Sequence, residues 1–234
     1  MKQIKKLTMA FLMMATTLQS NAQTHDSFAN FARYASANEQ LAEPKEGEWR
    51  VVLMGNSITD NWPQTRPEFF REHPNIIGRG ISGQTSYQFL LRFRQDVVSL
   101  HPAVVVINYG TNDIALNTGP YDEEQTFDNV CSMADIAQAN GIKVVLASCL
   151  PAGGFGWRPE VTDAMQKVKS LNGRVRAWAK EKRIPYIDYF SAMLSADGKE
   201  MNPAYATDRP GIHPNAAGYL VMERLLLEVL EQLR

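Results

Sequence analysis

Four short polar segments of the sequence carry residue types that together could break an ester bond. In chain order these segments contain Ser57, Gly83, Asn112 and His213. A serine hydroxyl becomes a nucleophile when a histidine removes its proton, and backbone or amide N–H groups stabilise the oxyanion that then forms. The four residue types therefore indicate nucleophilic acyl transfer, provided that the fold brings the segments together.

Ser57 stands just after a hydrophobic run, at a turn that is expected to begin a short helix. There its hydroxyl would lie near the positive end of the helix, beside a backbone N–H, which suits a nucleophile. A serine in front of an apolar run is also an ordinary helix N-cap. The segment alone leaves both interpretations open.

Two glycine-containing turns come next. The segment Gly78–Thr85 holds three glycines, which allow a backbone to approach a ligand closely, but it lacks the lysine and the glycine spacing of nucleotide-binding loops. The segment Gly110–Asp113 offers Asn112, whose amide can donate to an oxyanion without carrying a charge. Segments of both kinds also commonly form turns that have no role in binding or catalysis.

His213 is the histidine whose surroundings fit a general base. It lies in the segment Asp208–Asn215, directly before the last predicted helix. A neutral imidazole can take the serine proton and return it to the leaving group, while a nearby carboxylate fixes the tautomer. His73 and His101 each precede a proline in front of a strand, so we expect them at the opposite sheet edge in structural or solvent-facing positions.

The elements that must position these residues are strands and helices in alternation. Strands are predicted at Arg50–Met54, 75–77, Val104–Asn108, Lys143–Ala147 and Tyr186–Asp188, and helices near 26–41, 84–100, 122–140, 162–183 and 215–233. Short apolar strands that do not alternate with polar residues are buried on both faces, which predicts a parallel sheet in a three-layer α/β/α sandwich. Ligands bind beyond the carboxyl ends of such strands, where the four polar segments fall.

Composition excludes several classes of protein. Of 234 residues 44% are hydrophobic and 21% charged, with 24 basic and 25 acidic side chains, which does not fit a disordered chain, a collagen or a basic nucleic-acid binder. Cys131 and Cys149 match no zinc spacing, so no metal is expected. Their apolar surroundings favour free thiols over a disulfide.

Residues 1–22 have the pattern of a secretory signal peptide. Three lysines precede the apolar stretch Leu7–Ala15, and Ser20–Ala22 resembles a cleavage site. The apolar stretch is too short to span a bilayer, and no later segment has 18 uncharged apolar residues, so no integral membrane association is expected. We predict a secreted or periplasmic protein in which residues 23–234 form a single domain.

Taken together, the four segments resemble the blocks of the SGNH/GDSL hydrolase family, and are similar to those of platelet-activating-factor acetylhydrolase-like esterases. The matching segments are Gly55–Ile58, Gly80–Thr85, Gly110–Asp113 and His213–Tyr219. The resemblance implies a flavodoxin-like SGNH hydrolase fold, Ser57 as nucleophile and His213 as base. It also implies an oxyanion hole made of the Ser57 and Gly83 N–H groups with the Asn112 side chain, and no cofactor.

The sequence departs from the family pattern at one position. The family usually has an aspartate three residues before the histidine, where this chain has Pro210, and the nearest carboxylate is Asp208. Either a longer loop still brings Asp208 to the imidazole, or a Ser–His dyad works with a backbone carbonyl orienting His213. We favour the first alternative, with Asp208 as the third catalytic residue.

The substrate class rests on the loop at residues 149–159, which contains Trp157 and Arg158. An aromatic ring and a guanidinium beside the site could stack on and hydrogen-bond a sugar, which favours short acyl esters of carbohydrates. Alternatively, Trp157 only packs the loop against the body. Lysophospholipids or thioesters as substrates, and a catalytically silent binding domain on the same fold, are the other hypotheses.

Overall fold

Five parallel strands form one central sheet. The computed structural model describes residues 25–207 and 211–234, so the predicted signal peptide lies outside the described residues. The strands are Val51–Gly55 (β1), Ile76–Gly80 (β2), Val104–Asn108 (β3), Lys143–Ala147 (β4) and Tyr186–Ile187 (β5). Their order in the sheet is β2-β1-β3-β4-β5, with every pair parallel. The expected five-stranded parallel sheet is confirmed.

Eleven α-helices surround the sheet within the described part of the chain. They are α1 (His25–Ala29), α2 (Ala32–Glu39), α3 (Ser57–Asp60), α4 (Trp62–Thr65), α5 (Pro67–Glu72), α6 (Ser86–Asp96), α7 (Thr111–Ile114), α8 (Glu123–Ala139), α9 (Ala164–Lys182), α10 (Tyr189–Met193) and α11 (Ala216–Gln232). Helices α6, α8 and α9 cover one face of the sheet, and α4, α5, α10 and α11 cover the other. This is the predicted three-layer sandwich.

The two central strands bury side chains on both faces, as their apolar runs predict. Every residue of β1 and β3 is buried. Because successive side chains of a strand point to opposite faces, Val52 and Met54 join the core under α6, while Val51 and Leu53 join the core under α11. The sheet is therefore a rigid support for the loops at its carboxyl edge.

The strand order fixes where those loops converge. The chain passes to one side of β1 to form β2 and to the other side to form β3, so the direction of winding reverses between β1 and β3. Crevices form at such a reversal, at the carboxyl ends of the two strands. Ser57 follows β1 and Asn112 follows β3, which places both residues at this point.

The predicted helix over 26–41 is wrong in one respect, since the structure has two helices there. Asn30 adopts a left-handed backbone with φ of 55°, which ends α1 before α2 begins. Asparagine tolerates this conformation better than most residues. The break leaves the carbonyls of the last two residues of α1 to accept hydrogen bonds from the side chains of Gln84 and Gln88.

Both cysteines are free thiols, as their surroundings predict. Cys149 is fully buried and burial raises its pKa well above the usual range, while Cys131 is partly buried with a pKa raised to about 11. In residues 25–207 and 211–234, no group of side chains could hold a metal ion. No helix of the same residues is long and apolar enough to cross a membrane.

Candidate active site

Ser57 is the first residue of α3, at a tight turn after β1. Asn56 caps this helix, because its side chain accepts a hydrogen bond from Ile58 N at 3.0 Å. The turn lies so close to β2 that a Cβ atom on Gly80 would come within 2.3 Å of Asp60 N, so only glycine fits there. The interpretation of Ser57 as the N-cap is therefore wrong, and its hydroxyl remains available for another partner.

That partner is His213. Ser57 Oγ lies 2.9 Å from His213 Nε2, which is hydrogen-bond distance between residues 156 positions apart. Helix α11, which follows His213 in the chain, also holds α3 in place. The buried Tyr219 hydroxyl of α11 donates to Ile58 O at 2.8 Å. The structure thus brings the predicted nucleophile and the predicted base together.

The backbone of His213 is fixed by the residues around it. Thr207 N and Thr207 Oγ1 both donate to His213 O, at 2.9 and 3.1 Å. Asn215 caps α11 and donates from its amide to Ala204 O and Ala206 O. Asp208, the predicted third catalytic residue, lies outside the described residues, but its neighbour Thr207 contacts the backbone of His213.

Gly83 lies in the turn after β2, with a left-handed backbone at φ of +81° that strains any other residue. Asp60, at the end of α3, accepts hydrogen bonds from Ser82 N at 3.1 Å and Ser82 Oγ at 2.8 Å. The turn is therefore tied to the helix that bears Ser57. The sequence prediction did not single out Asp60, although its spacing of three residues from Ser57 puts it on the same short helix.

Asn112 meets the same turn from the side of β3. Its side-chain Nδ2 donates to Gln84 O at 2.9 Å, and the residue is 4% exposed. An amide nitrogen carries two hydrogens. No other acceptor among the described residues takes a hydrogen bond from Asn112, so its second N–H can serve a ligand.

Asp113, the next residue, anchors the start of α6. Its carboxylate accepts from Ser86 N at 3.1 Å and from Ser86 Oγ at 2.5 Å. Burial raises the pKa of Asp113 to about 6, against the opposing effect of the Ser86 hydrogen bonds. The pair holds the loop of Asn112 against the segment that follows Gly83.

Trp157 and Arg158 lie beside these turns. Trp157 Nε1 donates to Asn117 Oδ1 at 3.0 Å, and the residue is 46% exposed. Arg158 Nη2 donates to Leu116 O at 3.3 Å, and Arg158 also lies 3.8 Å from Glu160. Both residues of the 149–159 loop thus contact the stretch that follows Asn112.

Arg92 is a site-supporting residue that the sequence prediction missed. Its guanidinium is fully buried and donates to Gly55 O at 3.1 Å, to Arg79 O at 2.9 Å and to Gln84 Oε1 at 2.6 Å. It also pairs with Asp96 Oδ2 at 3.0 Å. One cation therefore joins the ends of β1 and β2 to the turn that contains Gly83.

The opposite edge of the sheet carries none of the predicted site residues that the structure describes. A cavity of about 220 Å³ opens there between Trp49, His73 and Arg234. His73 packs on the ring of Phe69, and the exposed His101 contacts Glu43 at 2.7 Å. The two histidines have the structural and solvent-facing positions expected of them.

A model of the GDSL-like lipase/acylhydrolase family matches residues 53–221. The matched region contains all four predicted blocks. A solved structure, that of a GDSL-like lipase from Bacteroides thetaiotaomicron, shares 53% sequence identity and a TM-score of 0.85. That match covers 88% of this chain and 100% of the lipase.

Two curated proteins are more distant relatives. The uncharacterized lipoprotein YqeF of Bacillus subtilis is 30% identical over an alignment of 185 residues, and the match covers 63% of this chain and 73% of that protein. Esterase TesA of Pseudomonas aeruginosa is 32% identical over 135 residues, which are 56% of this chain and 62% of the esterase.

Proposed function

The chain belongs to the GDSL-like lipase/acylhydrolase family, whose members hydrolyse esters, and we propose that Ser57 is the nucleophile with which it does so. The observation that carries the proposal is the 2.9 Å contact between Ser57 Oγ and His213 Nε2. For the hydroxyl to donate in this contact, the neutral imidazole carries its proton on Nδ1. Such an imidazole is ready to accept the serine proton.

The reaction proceeds through an acyl-enzyme. As Ser57 Oγ bonds to the carbonyl carbon, its proton passes to His213 Nε2, and the carbonyl oxygen becomes an oxyanion. The N–H groups of Ser57 and Gly83 and the second N–H of Asn112 donate to that oxygen. His213 then protonates the departing alcohol, and a water molecule that His213 deprotonates releases the acyl group. No step requires a cofactor.

Asp208 is the proposed partner of the His213 ring. The proposal is supported by its place in the chain, directly after Thr207, which donates two hydrogen bonds to His213 O. A carboxylate there would hold the Nδ1 proton and stabilise the imidazolium that forms during the reaction. The alternative is a Ser–His dyad.

For the substrate we propose a short-chain acyl ester of a carbohydrate. The large hydrophobic side chains exposed among the described residues are Leu91, Trp157 and Leu220. Of these, Trp157 is the one that is tied to the predicted site, through Asn117. An exposed indole face suits stacking on the apolar face of a sugar ring, and the Arg158 guanidinium beside it can donate to hydroxyl groups.

Hydrolysis of p-nitrophenyl esters from acetyl to palmitoyl tests the proposal. We expect activity on acetyl and butyryl esters that Ser57→Ala abolishes and that Ser99→Ala, an exposed serine at the other sheet edge, leaves unchanged. Equal rates for the wild type and Ser57→Ala would refute the serine mechanism and favour a binding domain. A preference for long acyl chains would favour a lysophospholipase or thioesterase instead.

The carbohydrate is tested separately with an acetylated oligosaccharide. Trp157→Ala should lower kcat/KM for this substrate at least about tenfold more than for p-nitrophenyl acetate, because only the sugar can cover the indole. An equal loss on both substrates would contradict the stacking role of Trp157.

We also propose that the protein works outside the cytoplasm. The proposal is supported by the signal-peptide pattern of residues 1–22 and by the similarity to YqeF, which is described as a lipoprotein. Fractionation of the source cells, with the first residue of the processed chain determined by mass spectrometry, tests it. An intact amino terminus in the cytoplasmic fraction would contradict it.

A further inference from the structure

Asn117 connects the predicted oxyanion turn with the exposed tryptophan. Its side-chain Nδ2 donates to Gly83 O at 2.9 Å, and its Oδ1 accepts from Trp157 Nε1 at 3.0 Å. Its backbone N donates to Asn112 O at 3.1 Å. Asn117 therefore contacts the Gly83 turn, the Asn112 segment and the 149–159 loop at once.

The two side-chain contacts require an amide in one orientation. Gly83 offers a carbonyl and so needs a donor, while Trp157 offers an N–H and so needs an acceptor. A flipped amide would set its oxygen against Gly83 O and its NH₂ group against the indole N–H. Each contact therefore holds the Asn117 amide in the orientation that the other contact requires.

The residue before Asn117, Leu116, has an uncommon backbone conformation. Leu116 has a left-handed φ of 58°, which few residues other than glycine adopt. Leu116 N donates to Asp113 O, and Leu116 O accepts from Arg158 Nη2 at 3.3 Å. The turn that presents Asn117 is thus stabilised from both the Asn112 side and the Trp157 side.

The indole is itself held in one place. The buried Phe155 ring lies 5.5 Å from the Trp157 ring, at an angle of 52°. With its N–H bound to Asn117, the indole has a fixed orientation while 46% of the residue remains exposed. A ligand that covers this surface contacts Trp157. A single residue, Asn117, links Trp157 to Gly83 through its hydrogen bonds.

From this geometry we infer that Asn117 is a positioning residue that aligns the Gly83 turn for catalysis, and that Trp157 acts on the reaction through it. The inference rests on the proposed ester hydrolysis. Asn117 holds Gly83 O, so it fixes the peptide plane next to the N–H that donates to the oxyanion. Contacts between Trp157 and a remote part of the substrate then raise kcat. Their binding energy helps to hold Gly83 in the geometry that stabilises the transition state.

A double-mutant cycle with p-nitrophenyl acetate tests the inference, because acetate esters are too small to need the indole surface. Asn117→Ala should lower kcat by roughly five- to tenfold with KM nearly unchanged, since it removes two hydrogen bonds. Trp157→Phe, which keeps a ring but loses the N–H, should lower kcat roughly threefold in the wild-type background and have no effect in the Asn117→Ala background.

Two further variants separate positioning from general damage. Asn117→Asp keeps the acceptor for Trp157 but loses the donor to Gly83 O, so its kcat should fall as far as that of Asn117→Ala. Asn140→Ala removes an exposed amide that bonds Ile136 O at the end of α8, and should leave kcat and Tm unchanged. Thermal melting of each variant confirms that it is folded at the assay temperature.

Two results would overturn the inference: an unchanged kcat in Asn117→Ala, or additive losses in the cycle. In either case, wild-type activity that Ser57→Ala abolishes would leave the proposed function intact. If Ser57→Ala is as active as the wild type, the proposed function itself fails.

Discussion

Replacing Arg92 with methionine should destabilise the protein more than any surface substitution. Methionine keeps most of the side-chain length but none of the donors. The substitution therefore strips a hydrogen bond from Gly55 O, from Arg79 O and from the Gln84 side chain. It also leaves the carboxylate of Asp96, which is 1% exposed, without its cation.

The size of the expected loss of stability follows from the Asp96 carboxylate, which stays buried after its ion-pair partner is removed. Asn38 Nδ2 and Gln95 Nε2 still donate to Asp96 Oδ1, at 2.8 and 3.5 Å, but these neutral hydrogen bonds do not replace an ion pair. Breaking a buried ion pair by removing one partner costs about 3–5 kcal/mol. In a domain of this size each kcal/mol shifts Tm by about 2–4 °C, so Arg92→Met should lower Tm by about 6–20 °C.

Differential scanning calorimetry at pH 7 measures this, with Arg224→Met as the control. Arg224 is exposed and pairs with Glu228 one turn along α11, a contact worth at most about 1 kcal/mol. The double variant Arg92→Met/Asp96→Leu should recover part of the lost stability, because no charge is then stranded. A fall in Tm for Arg92→Met no larger than that for Arg224→Met would refute the reasoning.

Three other predictions follow from the site. Because Asp113 has a pKa of about 6 in the folded chain and an ordinary value of 3.8, it holds its proton more tightly when folded, so its own contribution to the free energy of unfolding should fall by roughly 2–3 kcal/mol between pH 4 and pH 6. Urea melts of the wild type and of Asp113→Asn should differ by this slope, and equal slopes in the two proteins would contradict the prediction. Asp208→Asn should lower kcat for p-nitrophenyl acetate by up to about 10⁴-fold, and a near-normal kcat would indicate the dyad. Asn112→Ala should lower kcat about 10²–10³-fold with little change in KM, and a loss confined to KM would count against its role at the oxyanion.

The buried strands and the long helices were predictable because burial requires a regular pattern of apolar residues, which is visible in the sequence. β1 and β3 are buried along their whole length, and the runs Val51–Met54 and Val104–Ile107 within them are apolar without interruption. α8 and α9 are long enough to show a helical period. By contrast, α3, α4 and α7 have four residues each, which is too short for any period, so tertiary contacts and not local pattern determine them.

The blocks of the site were predictable, whereas the residues that support them were not. Ser57 and His213 stand at turns whose composition is distinctive. Arg92 lies in the middle of an amphipathic helix, where an arginine normally faces solvent, and the carbonyls it binds are 13 and 37 residues away. Asn117 likewise acts through contacts with Gly83 and Trp157, which no local pattern encodes.

The central claim is that Ser57 is an activated nucleophile, and covalent labelling tests it most directly. A fluorophosphonate probe reacts with a serine whose proton a neighbouring base removes, and peptide mass spectrometry then locates the adduct. The account predicts one adduct, on Ser57, that disappears in Ser57→Ala and is strongly reduced in His213→Ala. Labelling that is absent, or that persists in Ser57→Ala, would contradict it.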